Sequence, residues 1–159
     1  MEIHMEPPIF EKYRRMQERF QLPQLNDLTA TFKFELENDE NIFDQIRLEM
    51  SDRLFSFTEK IIEPMIGGGD AFCCLFEQDM VTGEERKTLF ELYKKLQTLK
   101  WENNMLIVRP DEKQTMEWIR KTWHLWNTEL EGELMALCRK MSAEWGALTL
   151  KDERADYHG

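Results

Sequence analysis

Thiols are the most reactive groups in this 159-residue chain, and two of the three, Cys73 and Cys74, are neighbours. Adjacent thiols suit a redox sensor, with Cys138 as a resolving partner, or one edge of a soft-metal site. Against both uses stand the flanking Phe72, Leu75 and Phe76, and no basic residue lies close in sequence to stabilise a thiolate. Free cysteine in such company packs as a small hydrophobe, which is the expectation for this pair.

Other metal chemistry is poorly supplied. The histidines are His4, His124 and His158, and the chain has no Cys-x-x-Cys, no His-Glu-x-x-His and no Glu-x-x-His of the carboxylate-bridged bundles. Glu129 and Glu133 are four apart, the spacing of a solvated acidic helix face. Gly67-Gly68-Gly69-Asp70 lacks the Gly-Lys-Ser/Thr of a nucleotide loop and follows a helical pattern, where glycine is the ordinary stop signal. No serine or cysteine motif marks a nucleophile for His124 to activate. No catalytic residue, metal ligand or cofactor is assigned.

Trp118, Trp123, His124 and Trp126 crowd one helical segment. On a helix Trp118 and Trp126 cannot both share the line of Trp123, so at least one indole is expected at the surface. There its apolar area and single donor suit it to anchor a partner.

Helices must position these groups. Pro7 and Pro8 open a first helix near 7–20 carrying Ile9, Phe10, Tyr13, Met16 and Phe20. A second, near 40–65, steps through Phe43, Ile46, Met50, Leu54, Phe57, Ile61 and Met65. Leu48, Phe55 and Ile62 widen its stripe beyond what one neighbour covers. The acidic turn Asn38 to Asn41 stands ready to cap it. Thr82 with Glu85 is a capping box for a third helix near 83–102, closed by Asn103-Asn104. Asp111 with Gln114 starts a stripe that runs to Trp145. As one helix it would be ~51 Å long, against a diameter of ~40 Å for a compact globule of this chain. Asn127-Thr128 ahead of Glu131 reads as a further cap, and Gly132 as a weak helix former. A break or sharp kink near Asn127 is therefore expected, leaving helices near 111–126 and 128–146; the alternative is one continuous helix in an elongated protein or a dimer.

Alternation at Phe32, Phe34 and Leu36 and the apolar run Met105 to Val108 suggest two short strands; periodicity leaves Ala71 to Phe76 undecided. The fold class that follows is mainly α: a bundle of four to five helices in one domain over 1–150, with at most a two-stranded β ribbon. Residues 151–159 are expected to form a frayed tail.

Composition limits the partners. The formal net charge is −10, with 42% hydrophobic and 33% charged residues. Such a chain is repelled by phosphate backbones, and its one basic cluster, Lys12, Arg14, Arg15 and Arg19, alternates with Glu11 and Glu18. Nucleic acid is not expected. Neither is a membrane, since no run approaches the ~20 apolar residues of a span. The start of the chain lacks a signal-like apolar stretch and the cysteine count is odd, which together suggest the cytoplasm. The functional expectation is a non-catalytic helical module for protein interaction or homo-oligomerisation. Its surface would be drawn from Trp118, Leu125, Leu48 and Phe55. The alternative is a small-molecule-binding or enzymatic protein with an interhelical pocket of Trp118, Trp123, His124 and Tyr93.

Overall fold

The structure, a computed structural model, describes residues 8–68 and 71–149; the tail expected over 151–159 lies outside them. The first helix, α1 (Pro8–Phe20), begins at a proline, whose missing N–H belongs to a turn that has no intrahelical acceptor. Its buried Tyr13 donates its hydroxyl to the Pro23 carbonyl, which clamps the chain as it leaves the helix.

A short helix unforeseen in the sequence follows, α2 (Leu25–Phe32), burying Leu25, Leu28 and Phe32 on one face. It ends on Lys33 in the left-handed region at φ 55°, with the Lys33 and Phe34 amides both donating to the Thr29 carbonyl. This cap reverses the chain and folds Phe34 back beside Phe32, both buried. The alternation expected as a strand is thus a helix end, and among the described residues no strand forms.

The third helix, α3 (Ile42–Phe57), is held at its start by a side chain from within. Gln45 binds the turn before it through the Asn38 and Glu40 carbonyls, whereas Asn41 makes no side-chain cap. Two π-helical turns, Thr58–Ile62 and Pro64–Gly68, prolong α3 until Gly67 leaves helical space at φ 140°, a torsion that glycine adopts without strain. The undecided run after it is helix α4 (Phe72–Met80).

The capping box forms as read, Thr82 Oγ1 accepting from the Glu85 amide and Glu85 from that of Thr82, each at 3.1 Å. It starts α5 (Gly83–Val108), which runs straight through Asn103-Asn104 and absorbs the second expected strand. Asn103 does not cap. It is buried and accepts a hydrogen bond from the guanidinium of Arg47 on α3, itself only 3% exposed. The Asp44 carboxylate stands 3.5 Å from the same guanidinium, and Nε has no partner among the described residues.

After Pro110, Asp111 Oδ1 accepts from the Gln114 amide at 2.8 Å and opens α6 (Glu112–Leu125). The break expected at Asn127 does not occur. A π-helical turn, Trp126–Leu130, joins α6 directly to α7 (Glu131–Ala147), and the junction residues keep right-handed helical torsions. Thr128 explains why its capping signature misleads: its hydroxyl donates to the His124 carbonyl at 2.7 Å, within the helix. Buried Thr58 does the same to the Leu54 carbonyl in the first π turn of α3. Three residues apart, Trp123 and Trp126 share a face and both pack on Phe32, with ring centroids 6.2 and 5.5 Å away. The result is one continuous helical rod from Glu112 to Ala147.

Counting that rod as one, the described residues hold six helices rather than four or five. The helices α3, α5 and α6 pack on one another as the central layer; α1 lies on α6, α2 on α3, and α4 between the end of α3 and α7. The main core joins them through Leu28, Ile46, Met50, Leu54, Leu96, Trp118 and Ile119. A smaller cluster of Met65, Val81, Leu89 and Leu137 closes the other end. No helix among the described residues is long and apolar enough to cross a membrane.

Candidate functional site

The residues proposed from sequence as a docking surface do not share one. Trp118 is 1% exposed and donates its indole N–H to the Leu99 carbonyl at 2.9 Å, so it is a core residue with a satisfied donor. Leu125 is buried too, and Phe55 is half-buried against the same core. Of the four only Leu48 is exposed. The correction has a simple cause: α6 is covered by α1, α3 and α5, so it buries much of its circumference and its off-stripe residues with it.

The alternative pocket fares no better. Trp123 is half-buried on Phe32, His124 is exposed, and Tyr93 donates to the Glu63 carboxylate at 3.1 Å. Burial, then that carboxylate, raises the Tyr93 phenol above its ordinary pKa. No described cavity gathers these side chains.

The largest described cavity, about 580 Å³, lies instead where α5 hands over to α6. Along α5 the buried line is Leu92, Leu96, Leu99, Asn103 and Leu106. Trp101, Met105 and Val108 each lie two residues beyond a member of that line, hence on the opposite side at ~100° per residue. They are 64%, 63% and 86% exposed, and Ile107 beside them is 55%. The spacing i, i+4, i+7 makes them one stripe. Pro110 and Asp111 turn the chain at the foot of this stripe, and Gln114 of α6 forms part of the opposite wall.

The result is a groove with an apolar floor and a rim of Asn104, Arg109, Asp111 and Gln114. Near it, Lys121 pairs with Glu102 at 2.6 Å and ties α6 to the flank of α5. Those rim groups can orient a bound segment by hydrogen bonds, and none is a thiol, hydroxyl or imidazole that would act as a nucleophile. The sequence pattern hides this face because Asn103-Asn104 resembles a helix stop. Carried four residues further, the same periodicity places Trp101, Met105 and Val108 together.

A second group of exposed apolar residues lies on α4, where the expectation of a buried cysteine pair is half corrected. Cys74 is buried, but Cys73, Phe72 and Leu75 are exposed. Successive side chains on a helix point ~100° apart, so Cys74 turns inward while Cys73 stays with Phe72 and Leu75 on the open side of α4. The covered side is held by Phe76, whose ring lies 5.7 Å from that of Trp145, and by Glu77, which accepts the Trp145 indole N–H at 3.0 Å. The thiols of Cys73 and Cys74 and a carboxylate oxygen of Glu77 lie within 4.8 Å of one another. No protein-family model, no curated protein and no solved structure matches this chain.

Proposed function

We propose that this chain is a non-catalytic helical module that captures an amphipathic, basic helix of another protein in the groove beside Trp101, Met105 and Val108. The observation that carries the reading is the exposed stripe itself. Large apolar side chains at i, i+4 and i+7, each more than half exposed, form the kind of patch that marks an interaction site. A groove flanked by two helix ends receives the apolar face of a third helix at matching spacing. Methionine within it adapts to varied side chains. The net charge of −10 favours a basic partner over a second copy, since like-charged copies repel and a basic helix is steered in.

Labelled helical peptides of leucine with lysine, and of leucine with glutamate, distinguish the outcomes by fluorescence anisotropy. The basic peptide is expected to bind more tightly, and Met105→Asp or Val108→Asp to weaken it at least tenfold, while Leu48→Asp leaves it unchanged. Equal binding by the Met105→Asp variant would remove the groove from consideration. Sedimentation equilibrium tests the occupant: a dimer dissolved by Met105→Asp would replace the basic helix with a second copy.

A further inference from the structure

We infer that Cys73, Cys74 and Glu77 form a binding site for a thiophilic d10 cation, with Zn²⁺ as its representative. The site is on α4, away from the groove, and its argument is independent of it. The three ligand atoms already lie within 4.8 Å of one another. Around one tetrahedral Zn²⁺, with Zn–S ~2.3 Å and Zn–O ~2.0–2.2 Å, neighbouring ligand atoms stand about 3.3–3.8 Å apart. Small side-chain rotations close that difference, and Cys73 is exposed.

Helix geometry supplies the convergence: Glu77 is one turn beyond both cysteines, at i+4 from Cys73 and i+3 from Cys74. Both thiols sit in the first turn of α4. The carboxylate is held from outside the helix by the indole of Trp145, the kind of second contact that orients a metal ligand. Burial, and then the adjacent Cys73 and Glu77, push the Cys74 thiol above its ordinary pKa. A cation resolves that crowding of would-be anions.

Binding breaks two S–H bonds, forms two Zn–S bonds and one Zn–O bond, and releases two protons to the buffer. Three protein ligands leave the fourth position to water. A loaded site would also stiffen α4 against α7, because Glu77 joins the two.

The test uses the full chain, reduced and stripped of metal with a chelator. Zn²⁺ is titrated in competition with a chromophoric chelator, and Co²⁺ reports thiolate ligation by its charge-transfer absorption. One equivalent is expected to bind. Cys73→Ser, a surface change that leaves the fold in place, and Glu77→Gln should each weaken binding at least tenfold, and Trp145→Phe about tenfold. Cys138→Ser, an exposed thiol on α7, should bind as the parent does. Absence of the thiolate–cobalt band would overturn the site. So would a loss in Cys138→Ser equal to that in Cys73→Ser, or full affinity in Glu77→Gln, since each would reduce the observation to surface thiol binding.

Discussion

Trp118 and Trp101 sit on successive helices and are tied to almost the same point of the chain, yet they do opposite things. The indole of Trp118 reaches across from α6 to the carbonyl of Leu99, two residues before Trp101, and is sealed inside the core. Trp101 points the other way from α5 and is 64% exposed. The first has three neighbouring helices around its own, whereas the second stands on the side of α5 opposite its buried line. Residue type says little about which indole holds the fold and which is free to bind. What separates them is how much of each helix's circumference is covered.

Three substitutions press on that contrast. The largest effect belongs to the interior. Trp118→Ala removes a fully buried indole and leaves the Leu99 carbonyl without its donor, and should lower stability by about 3–5 kcal/mol. The midpoint of urea denaturation measures it, and a loss below 1 kcal/mol would mean the seam is looser than described.

Tyr13 sharpens the comparison through pH. Burial first, then the charge of Asp27, raises the phenol above its ordinary value of 10.0. The folded state therefore favours the neutral form. The stability this contributes is fully present below pH 10 and is lost as pH rises above it. Wild-type stability should fall steeply from about pH 10 upward. Tyr13→Phe, about 1 kcal/mol less stable at neutral pH for want of its hydrogen bond to Pro23, should show a shallower fall. Parallel curves for the two proteins would place the titrating group elsewhere.

The smallest change in stability is expected outside. Trp101→Ala should stay within about 0.5 kcal/mol of the parent in the same denaturation experiment, while weakening the basic peptide as Met105→Asp does. A large loss of stability there would show that Trp101 belongs to the core and would erase the distinction between the two tryptophans.

Much of the helical framework was legible because it is local. Pro8 at the start of α1 and the reciprocal pair of Thr82 and Glu85 are decided by groups within four residues of each other. So is the Asp111 cap on Gln114. The 3.6-residue recurrence of Phe43, Ile46, Met50 and Leu54 likewise identifies α3 and the face it buries. Where local signals were ambiguous, packing overrode them. Asn103 resembles a stop, but the buried guanidinium of Arg47 requires an acceptor there, and α5 continues. Asn127-Thr128 resembles a start, but the Thr128 hydroxyl bonds within the helix and Trp126 rests on Phe57, so the rod does not break. Phe32 and Phe34 alternate like a strand because Lys33 turns the helix end back on itself.

The amino-acid sequence alone therefore determined that this protein is helical and acidic, where several of its helices start, and which residues face inward on α3. Those properties follow from backbone hydrogen bonding and side-chain periodicity over a turn or two. Only the tertiary structure decided that Trp118 and Leu125 are interior, that Trp101, Met105 and Val108 share an open groove, and that Glu77 reaches both Cys73 and Cys74 while bonded to Trp145. Each of these depends on which helix covers which, and that is set by contacts between residues far apart in the chain, where a local pattern carries no information.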